Sequence, residues 1–340
     1  MPIPAPVLYP PFNITRVSHV MHTVRDLDRT REFYCEVFGL VVSSQEADML
    51  YLRGVDEVCH HSLVFRRSAE PARCERVGLR VLSEAELDKA FDFFSSIGLA
   101  PTWAEFPYQG RTLRVTDPIG VPLEFCARMQ RMERRYDRPD LQRGGSGLRL
   151  DHVQLHVPDV QGALDFYSRL GFRCGDYMTA GEHDDTIFCA FTYRKDNPAD
   201  LVFMAGAGPR FHHCGYITPS FQDMFRACVI AGVRGLGNQI ERGPGRHSVA
   251  HAHYVYLRDP DGHRVELLLD VWHQMLDLEI EPVRWRLFGQ HTAGVWGLPA
   301  QAAWFHQATE FAGVAPQPVR NPQQMHTLEK YLAERHTENR

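Results

Sequence analysis

Two stretches of the chain share one pattern of apolar and polar positions. Residues 16–40, RVSHVMHTVRDLDRTREFYCEVFGL, and 149–172, RLDHVQLHVPDVQGALDFYSRLGF, each begin with alternation and break at an aspartate. Each then places apolar residues at helical spacing up to a glycine. Period-two alternation predicts a strand and the wider spacing a helix. His19 aligns with His152, Asp26 with Asp159, and Phe33-Tyr34 with Phe166-Tyr167. The correspondence continues downstream. VGLRVLSEAELDKAFDFFSSIGL (77–99) parallels CGYITPSFQDMFRACVIAGV (214–233) as strand, helix and glycine. LRVTDPIGVPLEF (113–125) parallels VYLRDPDGHRVELLL (255–269) as a hairpin turning on Asp-Pro-x-Gly. A repeat of this length decides the architecture before any single residue does. Each half holds two βαβ-type units with extra strands, an α+β fold.

The repeat also divides the chain. Residues 1–130 form the first domain and 149–297 the second. Between them, 131–148 is polar and arginine-rich, ends in Gly-Gly-Ser-Gly, and is expected to be a linker. Beyond 297 the pattern stops, although MHTLEKYLAERH (325–336) has helical spacing. The tail 298–340 is expected to act as a lid or an oligomer contact.

Composition adds mainly exclusions. Of 340 residues, 44% are apolar and 23% charged, which is ordinary globular usage. A net charge of −5 with no basic block argues against a nucleic-acid partner. The N-terminus lacks the pattern of a signal peptide, and no apolar run is long enough to span a bilayer, so no membrane association is expected. The 8 cysteines are scattered without a Cys-x-x-Cys pair, which reads as reduced thiols in a cytoplasmic protein. The 18 histidines are unusual and justify a search for a metal site.

Comparing the halves separates framework from chemistry. In the second half three candidate ligands occupy corresponding places on successive strands: His152, His213 and Glu266. The same places in the first half hold His19, Arg76 and Glu124. A guanidinium has no lone pair for a cation, so only the second half can assemble the trio. Two imidazoles and one carboxylate on one side of a metal leave the other positions open, as in non-haem ferrous enzymes. A structural zinc would want four closed ligands, usually with cysteine. His60, His61, His183, His291 and His306 match no ligand place in the repeat. His251 and His253 alternate against Tyr254 and Tyr256 and are expected to face away from the site.

The strings LRLDHVQLHVPDV, GPRFHHCGY and IERGPGRHSVAHAHYVYLRDPDGHRVEL together resemble the type I extradiol ring-cleaving dioxygenases of the vicinal oxygen chelate superfamily. The homoprotocatechuate 2,3-dioxygenase branch is the most similar. The resemblance implies tandem βαβββ modules, two per domain, around an open barrel-like sheet, and a homodimer or homotetramer. It implies that His152, His213 and Glu266 hold Fe(II), or Mn(II) as in some relatives. It further implies a catechol and O2 as reactants, in aromatic-compound degradation. By the same resemblance Tyr256 hydrogen-bonds the substrate oxygen, while His247 and Arg242 border the substrate and its entrance. Phe191 falls where the family has a tryptophan against the ring, and Gln154 where it has an asparagine. Ala199 takes the place of the family's proton-handling histidine. The segment 281–297 shows no evident arginine for a carboxylate tail.

Ala199 leaves three expectations open. Another group or a water handles the proton, or the substrate does not need that histidine, or the reaction is not standard extradiol cleavage. A smaller residue there also enlarges the pocket toward a bulkier ring. An isomerase or lyase of the same superfamily would share the ligands without using O2. A non-catalytic binding module would be expected to lose them.

Overall fold

The computed structural model describes residues 3–135, 137–180, 185–269, 273–274, 281–287 and 294–338. The first half runs β1 (Ile14–Val24), α1 (Leu27–Glu32), β2 (Val41–Gln45), β3 (Met49–Arg53) and β4 (Leu63–Arg67). It then repeats as β5 (Cys74–Val81), α2 (Glu84–Ser96), β6 (Thr102–Phe106), β7 (Gly110–Thr116) and β8 (Pro122–Cys126). The second half gives β9 (Arg149–Val157), α3 (Val160–Arg169), β10 (Arg173–Thr179), β11 (Ile187–Tyr193) and β12 (Leu201–Ala205). Its second module is β13 (Arg210–Ile217), α4 (Phe221–Val233), β14 (Ile240–His247), β15 (His253–Arg258) and β16 (Arg264–Leu269). The remaining elements are β17 (Val283–Arg286), β18 (Gly294–Trp296), α5 (Ala302–His306), β19 (Thr309–Glu310) and α6 (Leu328–Glu338).

The aspartates at which alternation breaks are helix caps. Asp26 accepts from the backbone N–H of Asp28 and Arg29, and Asp159 from that of Gly162. Past α1 the expected regular helix widens into a π turn over Phe33–Val37. Each half forms one curled sheet, ordered β2-β3-β4-β1-β5-β8-β7-β6 and β17-β10-β11-β12-β9-β13-β16-β15-β14-β18. The modules meet in antiparallel pairs at the centre, β1 with β5 and β9 with β13. One continuous apolar core runs through both halves, from Phe12 and Val17 to Leu267 and Phe311. Among the described residues no helix is long and apolar enough to cross a membrane.

The halves are clasped reciprocally. Tyr34 donates to Asp259 Oδ2 (3.2 Å) and Tyr167 to Asp117 Oδ2 (2.7 Å). Each repeat tyrosine thus reaches the Asp-Pro-x-Gly turn of the opposite half. Burial pushes Asp117 up to about 7, against the pull of Tyr167 and three backbone N–H groups. The Gly-Gly-Ser-Gly run is packed between the halves and is not a loose tether. Gly144 has φ +49°, and a Cβ there would stand 2.3 Å from the Val37 carbonyl oxygen. The tail is also tied down, with β19 pairing β13 and Phe311 bridging Cys74.

Candidate metal centre

Alternation along β9 puts Val153, Leu155 and Val157 into the core and sends His152, Gln154 and His156 to the other face. On β13 the pairing slips, from Phe211 opposite Leu155 to His213 opposite Gln154. This bulge sits at the His212-His213 pair, where it re-aims side chains. Glu266 comes from β16, opposite Tyr256 on β15 and beside Gly215 on β13. A Cβ at Gly215 would lie 2.5 Å from His152 Cε1, so only glycine leaves room for that ring.

The three expected ligands converge. His152 Nε2 and His213 Nε2 each lie 3.2 Å from Glu266 Oε2, and 3.1 Å from one another. Glu266 Oε2 is buried and accepts no well-formed hydrogen bond. Those separations match the corners of one octahedral face with bonds of about 2.2 Å, so the donor set fits a divalent cation. Among the described residues no other group of three His, Cys, Asp or Glu side chains could hold a metal. Burial works against a charge on His152, but Asp151 and Glu266 outweigh it and lift the imidazole to about 10. Burial pushes His213 down to about 4. Glu266 stays well below the usual carboxylate range, because the two imidazoles outweigh its burial.

The remaining site residues surround this trio. Tyr256 Oη lies 3.0 Å from His247 Nε2. Burial raises the Tyr256 hydroxyl well above its ordinary value, so it keeps its proton. Burial, reinforced by the charge of Arg242, pushes His247 down to about 3, so its ring is neutral. The Arg242 guanidinium lies over the rings of Trp304 (4.7 Å) and Tyr254 (4.9 Å). Gln154 Nε2 stands 3.3 Å from His212 Nδ1. Gln154, Phe191, Ala199, Arg242, His247 and Tyr256 all line one cavity of about 360 Å³ together with the trio.

The cavity wall around Ala199 is apolar: Phe188, Cys189, Val202 and Met204 are buried with it. Met178, Phe191, Leu287, Phe305 and Met325 pack against that group. The tail contributes Ala300, Trp304, Phe305 and Met325 to the lining. Arg286 lines it too, which corrects the expectation that 281–297 offers no arginine near the substrate. Short-range pattern cannot foresee this, because Arg286 is delivered by β17 pairing in parallel with β10.

His253 packs on Phe221, away from the trio, as the alternation expected. His60 and His61 are buried in the first half, where His61 bonds Gln109. His183 and His291 lie outside the described residues. In the first half's counterpart of the site, Glu124 is occupied by His19 (3.1 Å), Gln109 (2.7 Å) and Arg114 (2.7 Å). Sequence reasoning missed Asp151, His212, Asn197 and Trp304, which hold or cover the ligands. For Asp151 a signal was present, since the repeat places Ser18 there in the first half.

The sequence profile of the Glyoxalase/Bleomycin resistance protein/Dioxygenase superfamily matches residues 16–125 and 149–267. A homoprotocatechuate 2,3-dioxygenase structure from Arthrobacter globiformis superposes with a TM-score of 0.85 at 32% identity, covering 93% of this chain and 98% of that one. An extradiol ring-cleaving dioxygenase from B. fuscum gives 0.87 at 30% identity, covering 94% and 90%. A manganese-dependent 2,3-dihydroxybiphenyl 1,2-dioxygenase from Geobacillus genomosp. 3 is 23% identical over 293 residues, covering 80% of this chain and 90% of the relative. The chain belongs to the glyoxalase/dioxygenase superfamily and, within it, to the extradiol ring-cleaving dioxygenases.

Proposed function

We propose that this enzyme opens the ring of a catechol bearing an apolar substituent, using O2 and Fe(II) held by His152, His213 and Glu266, with Mn(II) as the alternative ion. The observation that carries the reading is the meeting of the three ligand atoms in a cavity bordered by Tyr256 and His247, whose wall around Ala199 is apolar. A bound ferrous or manganous ion would supply Lewis acidity to the two catechol hydroxyls and a path for electrons from ring to dioxygen.

The chain's own residues do the rest. Tyr256, protonated and held by His247 Nε2, donates its hydroxyl hydrogen to a substrate oxygen. Phe191 and the Ala199 wall pack against the ring and its substituent and exclude water. Burial pushes the Cys189 thiol of that wall far up, so it keeps its proton, while the hydrogen-bonded Tyr256–His247 pair offers a path for one. The tail acts as a lid, with Trp304 and Phe305 over the cavity. All eight cysteines are free thiols, in keeping with a reducing, cytoplasmic setting.

Ala199→His tests the substituent reading. An imidazole there fills the apolar wall, so kcat/KM should fall at least about tenfold for alkyl- or aryl-substituted catechols relative to unsubstituted catechol. An unchanged ratio across the panel contradicts it.

A further inference from the structure

The ligand histidines need more than proximity: each must offer its Nε2 lone pair, and imidazole tautomers are set by what the other nitrogen bonds. We propose that Asp151 and His212 are the positioning residues that set both lone pairs, and that this pair of contacts separates the live half from its silent copy. The inference rests on the metal-centre reading above.

The tautomers follow by elimination. Asp151, which is buried, places Oδ2 2.9 Å from His152 Nδ1. A carboxylate accepts, so the ring keeps a hydrogen on Nδ1, and a cation binding at Nε2 takes the place of any proton there. The carboxylate is itself anchored by Asn197 Nδ2, 2.7 Å from Asp151 Oδ1. The second ligand is set through one more ring. His212 Nε2 lies 3.0 Å from the Trp304 carbonyl, which can only accept, so His212 carries its hydrogen on Nε2. Its Nδ1 is then an acceptor, 2.7 Å from His213 Nδ1. His213 must donate there, and its Nε2 is left to bind. Gln154 Nε2 stands farther from the same His212 nitrogen, at 3.3 Å, so the single lone pair of that nitrogen goes to the shorter contact from His213.

The first half is an internal control. Ser18 replaces Asp151, and its hydroxyl lies 4.0 Å from Cys126 Sγ. His19 Nδ1 is buried without a partner. Glu75 replaces His212 and is engaged by Arg66. Both outer contacts are absent where the ligand set is broken. The His212 link also joins the metal ligand to α5, so the tail that covers the cavity helps hold His213.

The test is Co(II) binding to the full chain, read by competition with a chromophoric chelator and by the d–d spectrum of the bound ion. Asp151→Ala and His212→Ala should each weaken binding about 10–100-fold and alter the spectrum. Asp151→Asn and His212→Asn, which keep an acceptor oxygen, should recover most of the affinity. Glu75→Ala, at the silent counterpart of His212, should leave it unchanged. If Asp151→Ala fails to fold, Asn197→Ala decides, because it frees the Asp151 carboxylate and should weaken binding several-fold. Folded alanine variants with affinity within twofold of wild type and unchanged spectra overturn the inference alone. A wild-type chain that binds no divalent metal overturns it together with the reading it rests on.

Discussion

Glu266→Ala should abolish tight metal binding and reduce ring cleavage by more than the about 10–100-fold that outer contacts control, while the chain remains folded. Glu124→Ala, at the equivalent place in the first half, should do the reverse. The two glutamates are alike in burial and position, on β16 and β8, each opposite a glycine of the first strand of its own module in parallel register. They differ in what surrounds them. Glu266 Oε2 lies 3.2 Å from the Nε2 atoms of both His152 and His213. Glu124 has both oxygens engaged, by His19, Gln109 and Arg114, and its role is to neutralise buried donors. Removing it strands those donors and should cost about 3 kcal/mol, the low end for a broken buried pair because Arg114 still reaches water. Metal titration and thermal unfolding of both variants check the pair. Metal binding lost in Glu124→Ala, or retained in Glu266→Ala, would break the assignment of chemistry to the second half.

Tyr256→Phe should lower kcat about 10²-fold with little change in KM. The hydroxyl is held 3.0 Å from His247 Nε2, and burial keeps it protonated, which makes it a donor at the substrate's edge of the metal site. The structural cost is small, about 1 kcal/mol for the lost bond to His247. Metal affinity should be unchanged, since Tyr256 is not a ligand. Steady-state kinetics with metal content measured in parallel separate these effects. A kcat within threefold of wild type would remove Tyr256 from the proton path.

Much of this architecture was legible because the chain carries its own comparison. Aligned copies of strand, capped helix and Asp-Pro-x-Gly hairpin define both halves, and Arg76 against His213 picks out the half that can bind a metal. What stayed hidden depends on geometry that periodicity does not encode. The π turn after α1 and the bulge at His212-His213 each insert backbone that breaks a regular period. Asp151 was visible as a difference from Ser18, but its meaning lies in the orientation of the neighbouring ring. Trp304 and Arg286 lie outside the repeat and reach the cavity only through long-range pairing of the tail and β17. The buried glycines of the linker read as flexibility in composition, whereas their small size is what lets the halves close on one another.

The most direct test of the central claim is oxygen consumption by the iron-reconstituted, anaerobically handled protein, offered a panel of substituted catechols with product absorbance followed in parallel. One O2 consumed for each yellow ring-opened product, fastest with apolar substituents, is the result the account predicts. No uptake with any catechol, despite a full complement of bound metal, would contradict it.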